Sequence, residues 1–98
     1  MGMNVPKSAE ELKVEKFKEH ALKEGYTFVG YFTYKDTNKL SFKKEEENIG
    51  VVISIVTNDV VTTIGTNKAK RFNLSDEEVI KVLSDPKVRI DKPFKIIS

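Results

Sequence analysis

The segment 26–66 of this chain consists of short apolar runs separated by polar turn signals, and this pattern constrains the fold more than any other feature. β-Branched and aromatic residues dominate the runs, which is typical of β-strands. The predicted strands are Tyr26–Lys35, Lys39–Lys43, Ile49–Thr57 and Val60–Thr66. Because the connections between them are short, the strands are expected to pair in chain order as an antiparallel meander.

A helix is predicted on each side of the strand region. Ser8 and Glu11 match the capping-box pattern, in which a hydroxyl and a carboxylate satisfy backbone amides at a helix start. Ser75 and Glu78 repeat the pattern, and Pro86 limits the second helix. The apolar stripes are Val14, Phe17, Ala21 and Leu22 in the first helix, and Val79, Ile80, Val82 and Leu83 in the second.

This order of elements predicts an α+β protein. It has an N-terminal helix, a four-stranded antiparallel meander, a C-terminal helix and a short edge strand around Val88–Ile90. We expect both helices to pack on one face of the sheet, which leaves the other face open to solvent or to a partner. The 98 residues correspond to one domain, 1–98, in which residues 1–7 and 92–98 are expected to be flexible.

The composition excludes several classes of site. The chain has no cysteine, so disulfides, thiolate metal centres and a cysteine nucleophile are excluded. The apolar run Val51–Val56 is interrupted by Ser54 and is far shorter than the roughly 20 residues that span a bilayer. Residues 1–6 lack the apolar core of a signal peptide. We therefore expect a soluble, intracellular, cytoplasmic protein that does not bind membranes.

Residues that could support catalysis or bind a cofactor are scarce. His20 is the one histidine, and nothing near it in the sequence indicates a nucleophile. The adjacent carboxylates of Glu45–Glu47 diverge, which indicates a solvated loop rather than a metal site. We predict no catalytic residue, no metal site and no cofactor. One enzymatic alternative stays open, a small metal-free ribonuclease that uses Tyr31, Tyr34, Lys43 and His20.

The distribution of aromatic residues favours a non-enzymatic interaction module. Five of the nine aromatic residues lie between Tyr26 and Tyr34. Phe28 and Phe32 are expected to face the core, with Tyr31 on the opposite side. Two short helices are expected to be too small to bury both faces of such a sheet.

We therefore predict that a face or an edge of the sheet binds another protein or a second copy of the chain, with a homodimer as the simplest arrangement. The predicted partner-binding residues are Tyr31, Thr33, Tyr34, Lys39, Ser41 and Lys43. Small, lysine-rich, cysteine-free chains of this kind include accessory proteins of viruses and mobile elements, and the composition suggests such a role.

The alternative hypothesis is nucleic-acid binding through two basic segments. The segments 67–71 and 87–95 each carry net positive charge, although the whole chain carries only +2. If the two segments meet in space, they form one cationic patch beside the acidic start of the second helix. The residues predicted for this alternative are Lys68, Lys70, Arg71, Lys87, Arg89, Lys92 and Lys95.

Overall fold

The computed structural model describes residues 8–97, and within that range it contains two helices and one six-stranded antiparallel sheet. The helices are α1 (Ala9–Lys23) and α2 (Asp76–Ser84). The strands are β1 (Thr27–Tyr34), β2 (Thr37–Lys44), β3 (Ile49–Ser54), β4 (Asp59–Ile64), β5 (Asn67–Arg71) and β6 (Phe94–Ile96). Each strand pairs with the next one along the chain, so the spatial order is the chain order. The predicted α+β class and antiparallel meander are confirmed.

The number of strands is larger than predicted. Residues Asn67–Arg71, for which no strand is predicted, form β5 between β4 and β6. The last strand lies at Phe94–Ile96 rather than at Val88–Ile90, a segment that packs irregularly against the core. The two differences have separate causes. β5 carries Lys68 and Lys70 on one face and few apolar residues, so it depends on cross-strand pairing and gives little local strand signal. β6 alternates apolar and polar residues but is only three residues long, and its pairing with β5 places it.

The two helices begin where the capping residues predict. The Ser8 hydroxyl accepts from the Glu11 amide at 3.1 Å. Ser75 and Glu78 form a reciprocal capping box, with bonds of 3.1 and 2.8 Å. Phe17 and Ala21 are buried as their spacing predicts, whereas Leu22 is exposed because it lies beside the stripe that faces the sheet.

All the buried sheet side chains that form the core lie on one face, which we call the covered face. On β2, β3 and β4 they alternate with residues that point away from the helices, as the pleat of a strand requires. Both helices pack on this covered face. The fully buried members from sheet and helices include Leu40, Phe42, Val51, Ile53, Val60, Phe17, Ala21, Val79, Val82 and Leu83.

A buried asparagine joins both helices to the end of the β3–β4 hairpin. Asn58 adopts a positive φ of 57°, and its backbone amide donates to Ser54 at 2.8 Å. Its side-chain oxygen accepts from Lys13 of α1 at 3.1 Å, and its side-chain nitrogen donates to Asp76 of α2 at 2.8 Å. Lys13 also donates to the Ile55 carbonyl at 2.8 Å. One side chain therefore fixes the turn, α1 and α2 relative to one another.

We expect Asn58→Ala to lower the free energy of unfolding by about 2 to 4 kcal/mol, because the partly exposed Lys13 and Asp76 side chains each lose one hydrogen bond and alanine disfavours a positive φ. Asn58→Gly is the matched control: it loses the same side-chain bonds but tolerates the backbone conformation, so it should cost about 1 kcal/mol less. Urea unfolding measures both variants. A loss below about 0.5 kcal/mol in Asn58→Ala would contradict the role of this residue.

A buried phenol without a hydrogen-bond partner lies at the start of the sheet. Tyr26 is 3% exposed, and its hydroxyl has no partner among the described residues. The ring contacts Phe42 edge-on, and the Lys44 ammonium lies 4.5 Å from the ring centre. Burial, followed by the carboxylates of Glu47 and Glu24, raises the pKa of Tyr26 from 10.0 to about 12.

This raised pKa predicts a loss of stability at alkaline pH. The unfolded chain releases the phenol proton near pH 10 whereas the folded chain keeps it to about pH 12, so the folded state loses about 2 to 3 kcal/mol across that interval. Tyr26→Phe removes this component and the unpartnered hydroxyl, and should add about 1 kcal/mol at neutral pH. Urea unfolding of both proteins from pH 7 to 11.5 measures the difference. Parallel pH curves for the two proteins would refute the prediction.

Candidate functional site

The strand β1 forms one edge of the sheet and lacks three of the usual protections of an edge, namely charge, proline and short length; a β-bulge interrupts its first part. Its sequence, TFVGYFTY, contains no charged residue and no proline over eight residues. Natural edge strands usually carry lysine or proline, or are very short, because an unpaired backbone row recruits other strands. Among residues 8–97, no strand pairs with the outer side of β1.

The other edge of the sheet is protected in each of these ways. The strand β6 has three residues, and Pro93 immediately precedes it. Its central residue, Lys95, carries a charge. The two edges of one sheet therefore differ in length, charge and proline content, and this contrast marks β1 as the candidate pairing edge.

A β-bulge at Val29 decides which β1 side chains share a face. Phe28 pairs with Phe42, but the next paired residue is Gly30, so Val29 is the extra residue. Beyond it, Tyr31 lies on the covered face with Phe28, and Phe32 lies on the opposite face. The expectation that Phe28 and Phe32 both face the core is therefore wrong for Phe32, which is 45% exposed. The glycine within an aromatic strand was the available signal for the bulge.

The face opposite the helices, which we call the bare face, is not covered by any described helix or strand. Cross-strand pairing assigns its residues, because directly paired residues of an antiparallel sheet share a face. They are Thr27, Gly30, Phe32, Tyr34, Thr37, Lys39, Ser41, Lys43, Gly50, Val52, Ser54, Asp59, Val61, Thr63, Lys68, Lys70 and Lys95.

The bare face is strongly cationic. It carries five lysines and one aspartate, a net charge of +4. The helical layer has the opposite balance: α1 has four lysines against four glutamates, and α2 has one lysine against three acids, which gives −2 for the two helices. A chain whose total charge is only +2 thus concentrates positive charge on the bare face rather than on its helices.

The structure divides the predicted partner-binding residues between two faces. Tyr34, Lys39, Ser41 and Lys43 lie together on the bare face. Tyr31 and Thr33 lie on the covered face but outside the core. There the Tyr31 hydroxyl is 3.5 Å from Glu10. Burial and the neighbouring Glu10 carboxylate raise the pKa of Tyr31. The six residues do not form one surface because β1 side chains alternate.

The residues predicted for nucleic-acid binding are divided in the same way. Lys68, Lys70 and Lys95 share the bare face, and Lys70 pairs directly with Lys95. Arg71 points to the covered side, where it donates to the Pro86 and Val88 carbonyls at 3.3 and 3.1 Å.

The remaining members of that set lie in the segment between α2 and β6. Lys92 is held by Glu78 at 2.7 Å and by the Asn73 carbonyl at 3.0 Å. Lys87 and Arg89 are exposed in the same segment, beside a groove of about 720 Å³ that Arg71 also lines. The two basic segments meet along the β5–β6 pair, but their cations do not form one patch.

A histidine, a serine and a carboxylate come together between the helices, which the sequence did not predict because 64 positions separate His20 from Ser84. The His20 Nε2 atom lies 3.3 Å from the Ser84 hydroxyl and 3.8 Å from the Glu24 carboxylate, and Ser84 donates to Glu24. Both neighbours approach the same ring nitrogen. A Ser–His–acid triad needs the acid on the other nitrogen, so this cluster lacks the geometry that activates a serine.

The residues of the ribonuclease alternative do not converge. His20 lies between the helices, Tyr31 is on the covered face, and Tyr34 and Lys43 are on the bare face. Within the described range, no group of three histidine or acidic side chains is placed to hold a metal ion. Neither α1 nor α2 combines the length and hydrophobicity that crossing a lipid bilayer requires.

Comparisons with protein-family models, with curated proteins and with solved structures find no match to this chain.

Proposed function

We propose that this protein is a non-enzymatic interaction module whose β1 edge pairs with β1 of a second copy. The single observation that carries the proposal is the uncharged, proline-free β1 edge of eight residues, opposite a short edge that proline and lysine protect. Strand addition at a free sheet edge is a common mode of protein recognition, in which backbone hydrogen bonds provide the affinity.

The geometry of the β1–β2 hairpin supports the expectation that backbone groups on the outer side of β1 are available to a partner strand. Lys35 and Asp36 connect β1 to β2 with φ values of 52° and 61°, the signature of a two-residue type I′ turn. The residues that flank such a turn exchange hydrogen bonds, so we expect Tyr34 and Phe32 to bond to β2. The amides and carbonyls of Tyr31 and Thr33 are then expected to point outward, toward a partner strand.

One register of β1 against β1 of the second copy matches both the backbone hydrogen-bonding groups and the faces on which the side chains lie. The regular part of β1 after the bulge is Gly30–Tyr34, and its centre is Phe32. A two-fold axis perpendicular to the sheet at this point sets Phe32 opposite Phe32 of the second copy, with Tyr31 opposite Thr33 and Gly30 opposite Tyr34. The outward-pointing backbone groups of Tyr31 and Thr33 in one copy then meet those of Thr33 and Tyr31 in the other. The Tyr34 ring of each copy covers Gly30 of its partner.

Charge favours this edge arrangement over a dimer stacked through the bare faces. Face-to-face stacking would set five lysines and one aspartate of each copy against the same charges of the other. Edge pairing joins two uncharged strands and keeps both bare faces solvated. The same symmetry places the helices of both copies on one side of a continuous twelve-stranded sheet, twice the six strands of one copy.

A charge-swap experiment tests the proposal at its symmetric position. Phe32→Lys and Phe32→Glu each set like charges directly opposite one another, so each variant alone should self-associate roughly tenfold more weakly, or more, than the unmodified chain. An equimolar mixture of the two variants sets lysine opposite glutamate and should restore dimers. Sedimentation equilibrium of each protein and of the mixture measures these populations.

Thr63→Lys and Thr63→Glu are the matched controls, because Thr63 lies on the bare face of the central strand β4 rather than at an edge. Both should dimerise as the unmodified chain does. Circular dichroism of each variant confirms that the fold is retained. A monomeric unmodified chain at about 100 μM, a concentration at which weak specific dimers form, would overturn the proposal. Dimers that persist in both Phe32 variants would overturn it as well.

A further inference from the structure

We propose that the bare face binds single-stranded nucleic acid, with phosphates on its lysines and bases on the exposed rings of Phe32 and Tyr34. The observation behind this inference is the concentration of positive charge on the bare face, +4, against −2 on the two helices. It concerns a different surface from the β1 edge and applies to one copy as well as to two.

The lysines of the bare face form two rows that run along the strands, one row near each edge of the sheet. Lys39 and Lys43 lie on β2, and Lys68, Lys70 and Lys95 lie on β5 and β6. The strands β2 and β5 are three interstrand spacings apart, which corresponds to about 14 Å. A nucleic-acid strand that crosses the sheet from β1 to β6 therefore meets cations at both ends of its path.

The lysines at the β6 end are available for an external anion. Lys68 and Lys95 make no ion pair or hydrogen bond with a described side chain, and both are exposed. Lys70 is 3.9 Å from Asp59, the one acid on this face. Lys43 is also paired, with Glu45 at 3.1 Å, so two of the five lysines have an acidic partner. The other three carry charge that a polyanion can neutralise.

The strip between the lysine rows consists of uncharged residues with small or no side chains. It is lined by Gly50, Val52, Val61 and Thr63, which pair with one another across β3 and β4. None carries a charge, and Gly50 has no side chain at all. Carboxylates lie at two margins of the strip, where Asp59 is 3.9 Å from Lys70 and Glu45 is 3.1 Å from Lys43. Between these margins a phosphate can approach the lysines from the strip.

The exposed aromatic rings favour nucleic acid over an acidic peptide as the polyanion. Phe32 and Tyr34 are 45% and 55% exposed on the bare face, and Phe32 pairs directly with Lys39. Rings next to a cationic groove accept stacked bases of any sequence. A single strand is favoured over a duplex because unstacked bases can lie on a sheet, whereas duplex grooves admit a helix or a two-stranded ribbon.

The test compares two double variants of equal charge change. Lys68→Gln with Lys95→Gln removes two cations from the bare face, far from the β1 edge. Lys87→Gln with Arg89→Gln removes two exposed cations from the segment beside α2. Fluorescence anisotropy with a labelled oligothymidylate of about twelve nucleotides measures binding between about 20 and 200 mM salt.

The bare-face variant should lower the slope of log Kobs against log[salt] by about 1.4, since each lost phosphate contact contributes about 0.7 for a single strand. The control variant should leave the slope close to that of the unmodified chain. An abasic oligomer of equal charge should bind at least about fivefold more weakly, because the stacking is lost. A duplex of equal length and polyglutamate should also bind more weakly than the oligothymidylate.

Several outcomes would overturn the inference. They are no binding at the lowest salt, equal slope changes in the two double variants, or an abasic oligomer, duplex or polyglutamate that binds as tightly as the oligothymidylate. Sedimentation of the same samples reports self-association separately. A monomeric chain that still binds the oligonucleotide refutes only the β1 dimer, and a dimer that binds no oligonucleotide refutes only this inference.

Discussion

Two short helices can bury only one face of a six-stranded sheet, and the organisation of this protein follows from that constraint. Strand side chains alternate between the faces, so burying one face leaves the other in contact with solvent. The Asn58 side chain, bonded to Lys13 and Asp76, fixes both helices over the same end of the sheet. The core is therefore one layer deep, and the bare face is left to lysines, small residues and two aromatic rings.

The bulge at Val29 has the largest local effect on the surface of the sheet. Without it, strict alternation would place Phe28 and Phe32 on the same face. With it, Phe32 and Tyr34 join the lysines of the bare face, while Tyr31 and Thr33 move to the covered face, where Tyr31 lies beside the N-terminal end of α1. Both proposed activities depend on this placement, because Phe32 is at the centre of the proposed strand pairing and at the margin of the proposed nucleic-acid surface.

The two proposals use the molecule in compatible ways. Pairing through β1 uses backbone groups at the edge, whereas the oligonucleotide surface uses side chains that stand on the bare face. In the edge-paired arrangement the two bare faces would form one surface with twice the charge of a single copy, and the four rings would lie at its centre. The clusters that resemble catalytic or metal sites, around His20 and Glu45–Glu47, play no part in either proposal.

The sequence by itself determined the local elements. The N-cap residues Ser8 and Ser75 and the apolar runs determined the helices and four strands, because these signals act over a few residues. Only the tertiary structure decided that Asn67–Arg71 is a strand and that Phe32 faces away from the core. Those outcomes depend on cross-strand partners and on one inserted residue, and no local pattern of hydrophobicity encodes them.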